Sequence, residues 1–276
     1  VDSSYARRPF YTGDATNPQW NRLIIAVSDV HLGYEHADKQ SFMSFLGEVG
    51  STLGRSDNLV LLGDIFDFWR RNNVSVMLEN EDLVEKLESL STRIHYVPGN
   101  HDFTFARVNP SGTAPFRFEK VVKLQDGGTT FTFIHGYQLE VLSNFEPLTI
   151  EEYEDLCFSL CQRTGDFLGD LLSFFWDSIH LSFKKGDKRR SMVQAIGDIP
   201  EKRRDLHKVD RLARSRVKDL FLGIGKTDRL VFGHTHRPFV DGPVANTGSW
   251  VSNAQIRNTY LKIENGKMSL LQHNPT

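Results

Sequence analysis

Five short segments of metal-ligating residues stand in a fixed relation to runs of β-forming residues, and no other feature of the chain constrains its fold as tightly. They are Asp29-Val30-His31, Gly63-Asp64-Ile65-Phe66-Asp67, Gly99-Asn100-His101-Asp102, His135-Gly136 and Gly233-His234-Thr235-His236. Each follows an apolar run, at residues 23–27, 59–62, 94–97, 131–134 and 230–232 respectively. Polar, glycine-punctuated loops at the carboxyl ends of strands are where open α/β sheets assemble active sites. A fold that fits this chain must bring five strand ends to one place.

The intervening residues say which layers surround those strands. Phe42, Phe45, Leu46 and Val49 recur on one face of a helix over 37–49, and Leu83, Leu87 and Leu90 do so over 79–90. Strand and helix thus alternate in the first two-fifths, the βαβαβ pattern of a layered α/β domain. From 121 to 134 the period shortens to that of strands flanking Asp126-Gly127-Gly128, and 229–271 reads as short strands with a turn at Asn265-Gly266. Strands at both ends predict an α/β fold of two packed mixed β-sheets flanked by helices, a four-layer sandwich with a helical insertion. The 276 residues are read as a single domain, 1–276, with the insertion at about 140–222.

Within the insertion, Thr149 with Glu152 and Asp198 with Glu201 have capping-box spacing. Phe167, Leu168, Leu171, Leu172, Phe175, Ile179 and Phe183 form an apolar stripe, widened by Phe174, Trp176 and Leu181. Core packing accounts for most of it, and an exposed apolar groove is the alternative for the excess. Residues 184–218 hold thirteen Lys/Arg against five acids, a local +8 in a chain of net charge −2. That run reads either as a solvated helix face or as an anion-attracting lid. Cys157 and Cys161, four apart in a helical stretch, read as small buried residues and not as a redox or metal pair. No apolar run approaches the roughly 20 residues that span a bilayer, and 1–21 is polar without a signal-peptide core. A cytoplasmic protein is expected.

Imidazole and oxygen donors without thiolate suit Mn²⁺, Fe or Zn²⁺ better than Ca²⁺. Asp29 and His31, two apart on an extended chain, would point the same way. Asp64, just past a strand end, could offer one carboxylate oxygen to each of two ions.

Taken together, the motifs resemble those of the calcineurin-like metallophosphoesterase superfamily: D-x-H, G-D-x-x-D, G-N-H-D/E, H-G and G-H-x-H, running here from Asp29 to His236. The resemblance implies two divalent transition-metal ions, Mn²⁺ foremost with Fe or Zn²⁺ as alternatives. Asp29, His31, Asp64 and His236 would hold one, and Asp64, Asn100, His135 and His234 the other. It implies catalytic roles for His101, Asp102 and Asp67: His101 protonating the leaving group or steadying phosphoryl oxygens, Asp102 orienting His101, and Asp67 orienting a ligand or the bridging water. Two cations about 3.5–4 Å apart generate hydroxide near neutrality, which attacks phosphorus in line.

Ser28 to Gly33, Gly63 to Trp69 and Gly233 to Pro238 are most similar to the UDP-2,3-diacylglucosamine pyrophosphohydrolase group, which also carries a helical insertion after its H-G motif. Two positions depart from that group: His101 where Arg is common, and Tyr137 where an acid is common. The expected activity is hydrolysis of a phosphodiester or diphosphate, on a phosphorylated small-molecule or lipid-linked substrate or a nucleotide diphosphate, with peripheral membrane contact through the insertion. Alternatives are a nuclease or cyclic-nucleotide phosphodiesterase, a phosphomonoesterase, and a non-catalytic scaffold. A nucleic-acid partner is not favoured, since basic and aromatic residues are segregated and not interleaved. Trp69 and Trp250 are candidates to flank the cleft, and Arg70, Arg71 and Arg237 candidates for phosphate contact or plain surface. The segment Asn246 to Trp250 reads as a strand-to-turn closure of the sheet.

Overall fold

The computed structural model describes residues 22–107, 116–144, 148–162 and 206–274. In chain order the first half contains β1 (Ile24–Val27), α1 (Lys39–Thr52), β2 (Asn58–Leu61), α2 (Asn73–Glu79), α3 (Glu81–Glu88), β3 (Arg93–Tyr96), a 3₁₀ turn (Phe103–Arg107) and β4 (Phe116–Phe118). Then come β5 (Val122–Asp126), β6 (Thr129–Phe133), α4 (Tyr137–Asn144), α5 (Ile150–Gln162), α6 (Leu206–Arg214) and α7 (Val217–Leu222). The chain closes with β7 (Arg229–Phe232), β8 (Phe239–Asp241), β9 (Val244–Asn246), β10 (Thr259–Glu264) and β11 (Lys267–Gln272).

These strands form two mixed sheets, ordered β11-β10-β1-β2-β3-β4 and β5-β6-β7-β9-β8. β1 to β4 are parallel neighbours, as are β6, β7 and β9. The period-2 alternation of side chains explains the layering. Ile24 and Ala26 of β1 join Val60, Phe131, Phe133 and Val231 in a core between the sheets. Their neighbours Ile25 and Val27 face outward, against Phe42, Phe45 and Leu46 of α1 and Leu83 and Leu87 of α3. On the far side of the second sheet, Leu230 and Phe232 meet Leu139 of α4 and Val209 and Ala213 of α6. The four layers expected from the sequence are present, and the central strands β1 and β2 are buried on both faces.

Both hairpin turns form as read. Gly127 and Gly128 take φ of 54° and 74°, and Asn265 and Gly266 take 54° and 71°, the positive values that two-residue hairpin turns need. The tips meet, with the Gly266 N–H donating to Asp126 Oδ2 at 2.6 Å. The helix expected over 79–90 forms as α3 (Glu81–Glu88), with Leu83 and Leu87 buried, and a further short helix, α2, precedes it across Asn80. Asn72 caps α2 by accepting from the N–H groups of Val74 and Ser75, and Asn80 Nδ2 donates back to the Val76 carbonyl. Asparagine side chains compete for backbone partners in this way, and Asn80 separates α2 from α3.

Of the insertion, α4 to α7 are described. The capping box is formed: the Thr149 N–H donates to Glu152 Oε2 (2.8 Å) and the Glu152 N–H to Thr149 Oγ1 (3.2 Å). The apolar stripe at 167–183, the Asp198/Glu201 pair, the basic residues 184–204 and the N-terminal segment 1–21 lie outside the described residues. The basic residues that are described include Arg214, paired with Asp241 on a helix whose other face is buried, and Lys218, itself buried and paired with Asp219. Cys157 and Cys161 are buried, free thiols. Among the described residues no helix is long and apolar enough to cross a membrane.

Candidate metal centre

The loops that leave β1, β2 and β7 do so through left-handed backbone. Asp29, His31, Asp64, His234 and His236 have φ of 56°, 55°, 53°, 66° and 55°. For a residue with a Cβ this conformation costs about 1 kcal/mol or more, and the loops hold it by cross-linking to one another. The Asp29 N–H donates to the Gly63 carbonyl, His31 N–H to Asp64, Trp250 N–H to Asp29 and Gly233 N–H to His135, at 2.7–3.0 Å. Asp29 and His31 therefore converge by turning, not by lying on an extended chain as the sequence suggested. Only with these turns can both side chains be aimed back over the sheet edge.

Two donor sets result. In one, His236 Nε2 lies 3.2 Å from Asp29 Oδ1 and 3.1 Å from His31 Nε2. In the other, His135 Nε2 lies 3.2 Å from Asp64 Oδ2 and 3.3 Å from His234 Nδ1. Asp64 Oδ2 joins them, being also 3.8 Å from His31 Nε2. Its second oxygen, Oδ1, accepts the His101 backbone N–H at 2.8 Å. One oxygen of Asp64 thus faces both sets, where the sequence reading gave one oxygen to each. Backbone amide capture removes the other.

The environment fits cations. Asp29 Oδ1 and Asn100 Oδ1 are buried oxygens without a hydrogen-bond partner among the described residues, an arrangement that is costly unless something else satisfies them. Burial would raise the Asp64 carboxyl, yet the His135 and His101 imidazoles hold it well below the usual carboxylate range. Asp29, facing His236, is lowered in the same manner against its burial. Burial likewise opposes the charged form of His135, but the Asp64 and Asp29 carboxylates push it up to about 10. The cluster is a sink for positive charge. His135 Nδ1 sits 2.8 Å from the Leu62 carbonyl, which takes the ring proton and turns Nε2 toward Asp64.

Asp67 is fully buried and serves two imidazoles: Oδ2 is 3.2 Å from His31 Nδ1, and Oδ1 is 3.1 Å from His101 Nδ1. The two imidazoles hold its carboxyl well below the usual range in spite of burial. Trp69 stacks on the His101 ring with centroids 4.2 Å apart. Asp102, expected to orient His101, does something else. It accepts from the N–H groups of Gly99 (2.7 Å) and Ile65 (2.9 Å) and from Tyr96 Oη (2.5 Å), so it ties the loops after β2 and β3 together. Burial, with Asp64 nearby, raises its carboxyl to about 6. A carboxylate adjacent in sequence to a histidine invites pairing the two, but here successive residues face opposite ways.

Trp250 does not flank the cleft. It is fully buried against Phe42 and Phe45, with Nε1 donating to the Thr259 carbonyl at 3.1 Å. The segment from Asn246 to Trp250 closes the sheet edge, Thr247 Oγ1 meeting Ser28 Oγ at 2.6 Å. Arg70 binds Asp67 and covers the Tyr34 ring, Arg71 pairs with Glu79, and Arg237 Nη1 lies 3.2 Å from Asp210 Oδ2. Sequence reasoning missed Glu140, a fully buried carboxylate on α4 in hydrogen-bond contact with His234 Nε2. Its position, five residues past His135 on the apolar side of a helix, was the available signal.

Buried Asp and His donors at the strand ends of two packed sheets are the makings of a metal-dependent hydrolase. The chain belongs to the calcineurin-like phosphoesterase family, whose profile matches residues 22–238. Over 217 residues it is 30% identical to the UDP-2,3-diacylglucosamine hydrolase of Shewanella piezotolerans, covering 78% of this chain and 82% of that one. It is 24% identical over 224 residues to the protein of the same name from Shewanella baltica, covering 78% and 81%. Among solved structures it is similar to a dimetal phosphatase from Danio rerio, at 11% identity and a TM-score of 0.45, with 92% of this chain and 99% of that chain covered.

Proposed function

We propose that the chain hydrolyses a phosphodiester or diphosphate bond with two divalent cations, Mn²⁺ by preference. Asp29, His31, Asp64 and His236 would hold one, and Asp64, Asn100, His135 and His234 the other. The observation that carries this reading is Asp64 Oδ2, which stands 3.2 Å from His135 Nε2 and 3.8 Å from His31 Nε2 and so belongs to both donor sets. Bound there, the cations would offset negative charge on the phosphoryl oxygens and lower the pKa of an attacking water.

The remaining steps fall to side chains. Asp67 accepts the Nδ1–H of His101, which leaves Nε2 as the atom that meets substrate and passes a proton to the leaving oxygen. Trp69 keeps that ring in one plane. Because the curated relatives are named for a lipid-linked nucleotide diphosphate, a substrate of that chemistry heads the candidates, with the enzyme reaching it peripherally from the cytoplasmic side of a membrane.

The test is Mn²⁺-dependent hydrolysis of bis-p-nitrophenyl phosphate against p-nitrophenyl phosphate, followed by UDP-2,3-diacylglucosamine. Preference for the diester and turnover of the lipid diphosphate support the reading. Preference for the monoester replaces it with a phosphomonoesterase.

A further inference from the structure

We infer that Glu140 is a positioning residue that fixes the tautomer of His234 and thereby sets the strength of the second cation site alone. The inference rests on the reading above that His234 is a ligand. Glu140 is completely buried, and its Oε2 contacts His234 Nε2. The opposite nitrogen, Nδ1, faces the donor set, 3.3 Å from His135 Nε2. A carboxylate at Nε2 holds the ring proton there and leaves the Nδ1 lone pair for a cation. It also raises the basicity of Nδ1 as a donor.

The helix that carries Glu140 is fastened on both sides, so the carboxylate has a fixed direction. Tyr137 Oη donates to Glu154 Oε1 of α5 at 2.7 Å, and Leu139 packs with Val209 and Ala213 of α6. Glu140 lies in the first turn of α4. Each other imidazole with an orienting group has a different one: Asp67 for His31 and His101, and the Leu62 carbonyl for His135. The effect of losing Glu140 should therefore fall on the ion that His234 would hold. The segment after β6 then supplies both His135 and the carboxylate that orients a histidine 94 residues away.

The experiment titrates metal-free wild-type protein, Glu140→Gln and Glu140→Asp with Mn²⁺ by calorimetry, and counts retained ions after dialysis by mass spectrometry. Wild type should bind two ions per chain. Glu140→Gln should keep one at wild-type affinity and bind the other about 10- to 100-fold more weakly, with Glu140→Asp between them. Two ions bound by Glu140→Gln as tightly as by wild type would overturn the inference. Fewer than two in wild type would instead overturn the two-cation reading. Nitrogen-15 NMR of wild-type imidazoles gives a check that needs no variant: the metal-free protein should show His234 protonated at Nε2, and a proton at Nδ1 alone would sink the proposal.

Discussion

Asp67 and His101 are joined through Oδ1 and Nδ1 at 3.1 Å, while the other oxygen of the same carboxylate lies 3.2 Å from His31. One buried anion thus orients two imidazoles, those of the proposed ligand His31 and the proposed general acid His101. His101 itself lies close enough to the donors to raise a question of role, since its ring, His31 and Asp67 offer atoms all within 4.8 Å of one another. His101→Ala should lower turnover about 10²- to 10⁴-fold, the range of a general acid, and leave two bound ions per chain. Loss of an ion in the variant would make His101 a ligand.

Asp67→Asn should behave differently, because it disturbs two rings at once. An amide can accept only through its oxygen, so one imidazole loses its partner. We expect turnover to fall and, unlike in His101→Ala, metal affinity at the His31 site to drop by about 10- to 100-fold. Calorimetry with Mn²⁺ separates the variants. Equal metal binding in both would show that Asp67 acts on His101 alone.

Much of this centre is legible in the sequence because its donors are short-range: each lies within a few residues of a strand end, and strand ends follow from apolar runs. Asp29, His31, Asp64, His135, His234 and His236 come together where the apolar runs predict. What the sequence does not reveal is direction. Asp102 turns to the backbone of Gly99 and Ile65 and away from His101, and Trp250 enters the core beneath α1. Both outcomes depend on loop turns that no periodicity encodes. Glu140 gives only a weak signal, its place on the apolar side of a helix, because its partner is set by the packing of α4 on the second sheet.

Glycine chemistry yields a paired test. A Cβ at Gly99 would fall on the Asp64 carboxylate and backbone nitrogen, whereas a Cβ at Gly47 in α1 meets nothing within 4 Å. Gly99→Ala should displace Asp64, reduce bound metal below two ions and destabilise the fold by about 1–3 kcal/mol. Gly47→Ala should stabilise it by up to about 1 kcal/mol through helix propensity. Urea unfolding with metal analysis reads both. Two ions in Gly99→Ala would mean that the loops after β2 and β3 can separate without losing the site.

Chelation should expose the carboxylate cluster. Asp29, Asp64 and Asp67 are all buried at the centre, and cations that bind only the folded chain stabilise it by about 2.7 kcal/mol each at one hundred times Kd. A chelator should therefore lower the melting temperature by several degrees, reversed by Mn²⁺. An unchanged melting temperature for protein shown to have lost its ions would mean that the imidazoles alone neutralise the site.

A separate acid sensitivity resides far from the metal donors, in His95 of β3. Burial, with Arg117 and Arg93 alongside, pushes this imidazole down to about 4, and its Nε2 sits 3.0 Å from Asn58 Oδ1. The folded protein thus holds His95 neutral while the unfolded chain, with an ordinary value near 6.5, takes up a proton first. Its contribution to stability is complete above pH 6.5 and is lost as pH falls toward 4, because the unfolded state binds more protons throughout that window. The shift corresponds to about 3 kcal/mol at the acid end. His95→Gln cannot titrate, so its loss of stability between pH 7 and pH 4.5 should be about 2–3 kcal/mol smaller than that of wild type, measured by urea denaturation of chelated protein. Chelation keeps proton competition at the metal donors out of the comparison, and the same donors are present in both proteins. Identical acid slopes for the two would show that the imidazole is hydrated well enough in the fold to titrate normally, and would assign the acid lability to the carboxylates around Asp64.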